Sequence, residues 1–252
     1  MPREMSKTQI DRLGDRLKKG VVGDDDLRTL DEYRDSFDPA YEIAIKLLRD
    51  KLGLEPTGRR KSRPSILDKL RRERTRLSQM QDIAGCRVVV ATIINQNALI
   101  EKLTEAFSDV GQFGKPIIID RRSRPSHGYR AVHAVVASLD KRVEIQIRTE
   151  MQHRWAEASE KAADALQDIS IKYGGGDIQV HGLLLDVSSL IFEMEDFELL
   201  AHDKIECLMP IASMDVDAAE RMINEIRNTI ENQKKQVDES LDDLFDTIKE
   251  LA

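Results

Sequence analysis

The residues best suited to chemistry lie in two predicted strands and the loop before them, from Arg124 to Thr149. In the second strand, Glu144, Gln146 and Arg148 alternate with apolar residues. They should share one face, because side chains in a strand alternate with period two. A carboxylate, an amide and a guanidinium on one face suit the binding of phosphate and a metal ion. The alternative interpretation is a sheet with one solvent-exposed polar face.

Further candidate groups lie close to this strand in sequence. Tyr129 and Arg130 precede the first strand of the pair, His133 lies on that strand, and His153 and Trp155 follow the second strand. An aromatic ring, an arginine and a histidine beside a carboxylate favour a phosphate and metal site over a plain sheet.

Residues 57–76 form a strongly basic segment in which only Asp68 and Glu73 are acidic. Its basic residues are Arg59, Arg60, Lys61, Arg63, Lys69, Arg71, Arg72, Arg74 and Arg76. Pro64 and Ser65 indicate a helix start, with Ser65 as the N-cap. A basic loop that enters a helix N-terminus binds phosphate, because free N–H groups and the helix dipole add to the side-chain charges. A solvated basic helix face and a nucleic-acid patch are the alternatives.

Residues 81–94 predict a buried strand, because they form an apolar and β-branched run. Asp82 opens this run, and Gly85 should allow a close backbone approach or a bulge. An acidic residue at the mouth of a buried strand is a candidate metal ligand. The alternative is an aspartate that caps the preceding turn.

The composition favours a helix-rich protein, since 34% of the 252 residues are charged and only 4% are aromatic. The net charge of −7 argues against a generic polyanion binder. Cys86 and Cys207 show neither disulfide nor metal-ligand spacing. The N-terminus lacks an apolar signal segment, and no run approaches the roughly 18 apolar residues of a membrane span. We therefore expect a cytoplasmic protein with no membrane partner.

Helical patterns flank the predicted strands. They cover residues 1–55, 95–109, 150–166, 180–206 and 215–252. The run Gly174–Gly176 predicts a flexible break. We therefore expect a helical N-terminal flank at 1–56, a central domain at 57–172 and a C-terminal helical extension at 173–252. The last pattern is long and amphipathic, which is typical of packing or oligomerisation.

Four motifs in order resemble the synthetase domain of the RelA/SpoT superfamily, particularly its small stand-alone alarmone synthetases. They are Gly58-Arg59-x-Lys61-Ser62-x-x-Ser65-Ile66-x-x-Lys69, Asp82-Ile83-Ala84-Gly85-x-Arg87, Arg124-Pro125-x-x-Gly128-Tyr129-Arg130-x-x-His133 and Glu144-Ile145-Gln146-Ile147-Arg148-Thr149. The resemblance implies an α/β (α+β) fold, with a nucleotidyltransferase-like mixed five-stranded sheet covered by helices and helical N- and C-terminal flanks.

The resemblance implies transfer of the β,γ-pyrophosphate of ATP to the 3′-hydroxyl of GDP or GTP, which makes guanosine alarmones (ppGpp or pppGpp). It implies Mg²⁺ held by Asp82 and Glu144, which are also the catalytic candidates. The implied ATP-binding residues are Arg59, Lys61, Ser65, Lys69 and Arg87. The implied acceptor-binding residues are Arg124, Tyr129, Arg130, His133, Gln146, Arg148 and His153. By analogy with the small synthetases, we expect a homo-oligomer through the C-terminal helices.

One departure from the family pattern concerns the acceptor. Glu160 stands where the family usually carries a histidine, and a negative group there should disfavour phosphate. One alternative is therefore a toxin-type relative that pyrophosphorylates tRNA 3′ ends or adenosine nucleotides, using the basic segments to bind tRNA. Another alternative is a catalytically silent nucleotide-binding regulatory module, although the retained Asp82, Glu144 and Tyr129 argue against it.

Overall fold

The chain forms two compact units, each assembled from separate segments of sequence. A computed structural model describes residues 5–20, 22–58, 60–108, 114–208 and 216–251. The first unit comprises residues 1–88, 100–119 and 133–146, and the second comprises residues 89–99, 120–132 and 147–252. The three-part division at residues 57 and 173 remains a prediction.

The first unit begins with helices that pack through their apolar faces. They are α1 (Lys7–Lys18), α2 (Asp24–Asp35), α3 (Asp38–Leu52) and α4 (Arg63–Arg72). Leu13 and Leu17 of α1 join Leu30 of α2 and Ile66 and Leu70 of α4 in one buried cluster. This cluster holds α4 in a fixed place.

Within the described residues, five strands form one sheet in the order β1-β2-β5-β4-β3. They are β1 (Thr57–Gly58), β2 (Ala84–Val90), β3 (Ile117–Asp120), β4 (Val132–Ser138) and β5 (Lys141–Thr149). The expected mixed five-stranded sheet in an α+β fold is thus confirmed. β1 pairs antiparallel with β2, and Thr57 lies opposite Arg87. β5 is the central strand.

The strand expected at 81–94 is shorter than the apolar run suggested. It ends at Val90, and α5 (Ile93–Ser108) follows at once. The Thr92 hydroxyl accepts a hydrogen bond from Asn95 N at 3.1 Å, as an N-cap does. The apolar run continues from strand into helix, so hydrophobicity alone could not locate this boundary.

Both faces of β5 are buried, so a solvent-exposed polar face is the wrong interpretation. Val143, Ile145 and Ile147 are fully buried, and on the opposite face Gln146 and Arg148 are only 5% and 2% exposed. Buried polar side chains need partners, because an unpaired one loses its hydration without compensation. The pattern of β5 therefore identified its polar face correctly but not what covers it.

The second unit is mainly helical. It contains α6 (Glu150–Ala165), α7 (Ile178–Leu208) and α8 (Val216–Leu251). Trp155 of α6, Leu184 of α7 and Leu241 of α8 belong to one buried cluster. Within the described residues, no helix is both long enough and apolar enough to cross a membrane.

The three consecutive glycines in the second unit are closely packed, so the expected flexible break is wrong. A Cβ at Gly174 would overlap the His127 ring, and one at Gly176 would lie 2.5 Å from Ile171 Cγ1. Gly174 and Gly176 also have positive φ angles of 81° and 79°. Glycine is needed here for backbone conformation and space.

Candidate functional site

A carboxylate held by two ammonium groups lies in the first unit. The Nζ atoms of Lys61 and Lys69 are 2.8 Å and 3.0 Å from Asp82 Oδ2. All three side chains are largely buried. Burial works to raise the pKa of Asp82, but the charges and hydrogen bonds of Lys61 and Lys69 outweigh it and hold the pKa at about 2. Asp82 is therefore a carboxylate at neutral pH.

The start of α4 positions the cationic part of this cluster. Its N-cap is Ser62 rather than the predicted Ser65, and the Ser62 hydroxyl accepts a hydrogen bond from Ser65 N at 3.3 Å. The two hydroxyl oxygens are 2.8 Å apart. Lys61 immediately precedes the cap, and its N–H donates to Ile83 O at 3.2 Å. A helix N-terminus with two hydroxyls and two lysines offers the donors that bind phosphate.

Glu144 of β5 is a second oriented carboxylate in the first unit. Its Oε1 lies 2.8 Å from His133 Nδ1, and its Oε2 accepts from Gln146 Nε2 at 3.1 Å. Burial raises its pKa, as does the charge of Asp82, but hydrogen bonding and charge from His133, with a hydrogen bond from Gln146, lower it overall. The pKa of Glu144 is thus below its usual range. The expected contacts of His133 and Gln146 with an acceptor stay predictions.

The two carboxylates line one small cavity in the first unit. Lys61, Asp82, Gly85, Cys86, Glu144 and Gln146 enclose about 20 Å³. That space admits about one water-sized species. Burial and the charge of Glu144 raise the pKa of the Cys86 thiol to about 12, so the thiol stays protonated and is a poor metal ligand.

The donor atoms at this cavity fit a hard cation. Asp82 Oδ1 is buried and accepts no hydrogen bond within the described part of the chain. Mg²⁺ prefers such carboxylate oxygens and keeps several water or phosphate ligands. Among the described residues, no group of three or more His, Cys, Asp or Glu side chains could hold a metal ion. The described residues at this cavity thus offer two carboxylates, and a cation bound there would need water or substrate phosphate as further ligands.

Gly85 allows β2 to approach Glu144, as the sequence predicted. An added Cβ would lie 2.5 Å from the Glu144 carbonyl oxygen. We expect Gly85→Ala to lower the free energy of unfolding by about 3 kcal/mol, because backbone atoms must move to relieve the clash. Urea denaturation followed by circular dichroism would measure this. Gly182→Ala is the control, since apart from its chain neighbours and the nearby backbone of its own helix no atom lies within 4 Å of its added Cβ. Equal stability of the two variants would contradict the close approach.

In the second unit, Arg148 orients the ring of Tyr129. Arg148 Nη2 donates to the Tyr129 hydroxyl at 2.9 Å, and its guanidinium carbon lies 5.0 Å from the ring centroid. Arg148 is 2% exposed, whereas Tyr129 is half-buried. A hydrogen bond and a cation–π contact together restrict the ring. A fixed and partly exposed aromatic ring can stack on a nucleotide base.

Tyr129 ends a tight turn in which Tyr129 N donates to Ser126 O at 3.0 Å. The central residues His127 and Gly128 both have positive φ angles, 52° and 85°, as in a type I′ turn. We call residues 126–130 the acceptor loop, after the acceptor-binding role that the sequence predicts for Tyr129 and Arg130. Arg130, the last of them, directs its guanidinium to Ser188 of α7. Its expected contact with acceptor phosphate stays a prediction.

The remaining predicted site residues that the structure describes lie on β2, in the segment before the acceptor loop and on α6. Arg87 is half-buried on β2, in the first unit, and Arg124 is exposed in the second unit. His153 Nε2 lies 3.6 Å from Glu157 Oε1 on α6, the helix that also carries Glu160. Arg59 lies outside the described residues. The roles of these residues stay predictions.

Sequence reasoning missed a buried polar network in the second unit. Glu195 of α7 accepts from Thr149 Oγ1 at 2.5 Å and from Gln152 Nε2 at 2.9 Å. Burial raises the pKa of Glu195 despite these hydrogen bonds. Thr149 and Gln152 form a capping box at the start of α6, and their spacing alone could have revealed it. Glu195 carries no comparable signal.

Comparison with known proteins adds family information for the central region. Residues 58–164 match the family described as the region found in RelA / SpoT proteins. Uncharacterized proteins of Mycobacterium tuberculosis and Mycobacterium bovis are each 40% identical over 110 residues, which is 43% of this chain and 39% of theirs. The chain thus spans about two fifths of the length of the curated relatives that it matches.

Two solved structures are similar in fold. One is the small alarmone synthetase 1 from Bacillus subtilis bound to its product pppGpp, with a TM-score of 0.50, 25% identity, and coverage of 70% of this chain and 96% of that one. The other is a GTP pyrophosphokinase family protein from Streptococcus pneumoniae, with a TM-score of 0.50, 22% identity, and coverage of 80% and 98%. The second shows the fold alone.

Proposed function

We propose, from the premise that residues 58–164 form a RelA/SpoT-type synthetase domain, that this chain transfers the β,γ-pyrophosphate of ATP to the 3′-hydroxyl of GDP or GTP. The family match and the similar small alarmone synthetase 1 from Bacillus subtilis support an alarmone-synthetase-like function. The finer proposal depends chiefly on one observation: Asp82 and Glu144 line the same cavity, and Lys61 and Lys69 surround Asp82.

The first unit would bind the ATP phosphates. Lys61, Lys69 and the N-terminus of α4, with the hydroxyl of Ser65, present positive charge and hydrogen-bond donors. Without nucleotide, the single negative charge of Asp82 offsets part of the charge of the two lysines. Phosphate oxygens would compete for the lysines, which would free the Asp82 carboxylate for a cation.

Asp82 and Glu144 would hold the metal ion. RelA/SpoT-type pyrophosphokinases in general depend on a divalent metal, and we propose Mg²⁺ here because the available ligands are carboxylate oxygens. When bound, the ion would neutralise charge on the phosphate oxygens and so favour attack on the phosphorus.

Glu144 would accept the proton of the attacking 3′-hydroxyl. As the 3′-oxygen forms a bond to the β-phosphorus, the bond from that phosphorus to the α,β-bridging oxygen breaks, and AMP leaves. The lowered pKa keeps Glu144 ionised at neutral pH, so it can accept the proton. The His133 ring, 2.8 Å away, holds one carboxylate oxygen in a fixed orientation.

Tyr129 would stack on the acceptor base in the second unit. We expect Tyr129→Ala to raise the acceptor KM about 5- to 100-fold, because base–aromatic stacking contributes about 1–3 kcal/mol. Tyr129→Phe is the matched control, since it keeps the ring and removes only the hydroxyl that contacts Arg148. Initial-rate assays with varied acceptor would measure both. A similar KM for the alanine and phenylalanine variants would contradict stacking.

A transfer assay tests the proposed function directly. Purified protein, Mg²⁺ and γ-labelled ATP would be incubated separately with GDP, GTP, ATP or bulk tRNA, and the products separated by thin-layer chromatography. We expect label to appear on the guanosine nucleotides, with release of AMP. Label only on tRNA or adenosine nucleotides would overturn the guanosine assignment, and no transfer would favour a silent binding module.

The homo-oligomer through the C-terminal helices is likewise a proposal, which light scattering would test.

A further inference from the structure

We propose that Ser188 of α7 is a positioning residue for the acceptor loop, so that α7 sets the affinity for the guanosine acceptor. α7 begins at Ile178, beyond the residues 58–164 that match the family. This inference rests on the proposed function, because it concerns how the second unit would bind the acceptor. All of the contacts that support it lie within that unit.

The Ser188 hydroxyl contacts the acceptor loop on both sides of Tyr129. Its Oγ donates to Gly128 O at 2.6 Å and accepts from Arg130 Nε at 3.0 Å. Arg130 Nε also approaches Ser188 O at 3.1 Å. Ser188 is only 2% exposed, so water does not readily replace these contacts. One hydroxyl therefore fixes the residue before Tyr129 and the residue after it.

The packing around Gly128 leaves the loop little freedom. A Cβ at Gly128 would lie 2.7 Å from Trp155 Cζ2 and 3.3 Å from Ser188 Cβ. Trp155 is in turn tied to α7, because its Nε1 donates to Leu184 O at 2.7 Å. The space among Gly128, Trp155 and Ser188 is too small for a water molecule. A shift of α7 would therefore move the loop.

The guanidinium of Arg130 has a positioning function in this arrangement. Besides its contacts with Ser188, it lies over the Phe192 ring at 4.6 Å from the centroid and donates to Arg122 O. Phe192 is four residues after Ser188, so both occupy one side of α7. Arg130 is 9% exposed. The guanidinium of Arg130 thus binds both α7 and the backbone carbonyl of Arg122. Arg130 thereby anchors the end of the loop.

The neighbouring serine provides a matched control. Ser189 is exposed, and its hydroxyl donates to Leu185 O at 3.0 Å within α7. Ser188→Ala and Ser189→Ala thus remove the same atom from adjacent positions of one helix. Only the first change removes contacts with the acceptor loop.

The experiment measures nucleotide binding and turnover in the full chain. Trp155 is the only tryptophan, and it packs on Gly128, so its fluorescence reports on the loop as GDP is titrated. We expect Ser188→Ala to raise both the Kd for GDP and the acceptor KM about tenfold, because a buried charge-assisted hydrogen bond is lost. The KM for ATP should stay within about twofold of wild type, and Ser189→Ala should match wild type in all three quantities.

The outcomes separate this inference from the proposed function. If wild type transfers label to GDP but Ser188→Ala behaves like Ser189→Ala, the positioning role is overturned alone. An equal rise in the KM for ATP and for the acceptor would also overturn it, because general loosening of the fold would explain both. Absence of GDP binding and transfer in wild type would overturn the proposed function as well. If Ser188→Ala does not fold, Ser188→Cys, which fills the space of the hydroxyl but hydrogen-bonds only weakly, carries the same test.

Discussion

Glu144→Gln is expected to lower the rate of pyrophosphate transfer by about 100- to 10,000-fold, the usual contribution of a general base. The substitution keeps the size of the side chain but removes its negative charge and its ability to accept a proton. The introduced glutamine amide can still contact His133 Nδ1 and Gln146 Nε2, so the strand should keep its packing. The rate of AMP formation at saturating ATP and GDP would measure the effect.

The pH profile provides a second measure of the role of Glu144. Because its pKa is lowered in the folded protein, the carboxylate should stay ionised throughout the neutral range. Wild-type activity should then fall only when the pH drops below the usual carboxylate range. Glu150→Gln, at an exposed position in the first turn of α6, is the control and should retain full activity. A Glu144→Gln variant with more than about a tenth of wild-type activity would contradict a general-base role.

Asp82→Asn should lower both activity and stability. The variant leaves Lys61 and Lys69 close together without their shared counter-charge, and it removes a proposed metal ligand. We expect at least about a 100-fold loss of transfer, since charge neutralisation dominates catalysis of phosphoryl-type reactions. The KM for ATP should change as well, because the two lysines are also the proposed phosphate ligands.

The effect of Asp82 on stability should depend on pH in a defined direction. Its folded-state pKa of about 2 is below its ordinary 3.8, so its stabilising contribution is present above about pH 4 and is lost as the pH falls through 2. The shift corresponds to about 2 kcal/mol at neutral pH. Urea denaturation between pH 2 and 7 should show this loss in wild type but not in Asp82→Asn.

An exposed ion pair provides the control for this measurement. Asp25, which pairs with Arg28, has a side chain that is 89% exposed. Asp25→Asn should change the free energy of unfolding by less than about 1 kcal/mol, because solvent screens exposed pairs. Two results together would contradict a stabilising role of the buried Asp82 cluster. They are an equal loss in the free energy of unfolding for Asp82→Asn and Asp25→Asn, and the same pH dependence of stability in both variants as in wild type.

The sequence by itself identified the two carboxylates and the two lysines that the structure places in the first unit. The position of Asp82 at the start of a buried strand, the polar face of β5 and the close approach at Gly85 all followed from local pattern. The alternation of side chains in a strand involves only neighbouring residues, and so does the need for glycine where two backbones approach closely. Both can therefore be recognised in the sequence. The type and order of the long helices and of β2 to β5 followed for the same reason, whereas β1 was not predicted.

Only the tertiary structure decided which groups meet. Lys61 and Lys69 reach the same oxygen of Asp82 from 21 and 13 residues away, and Ser188 reaches Gly128 from 60 residues away. No periodicity records such pairings, because the packing of distant segments creates them. Ser188 and Ser189 are identical in type and adjacent in sequence, yet one is buried against a loop and the other is exposed. The orientation of α7 makes that difference, and it arises only when the helix packs.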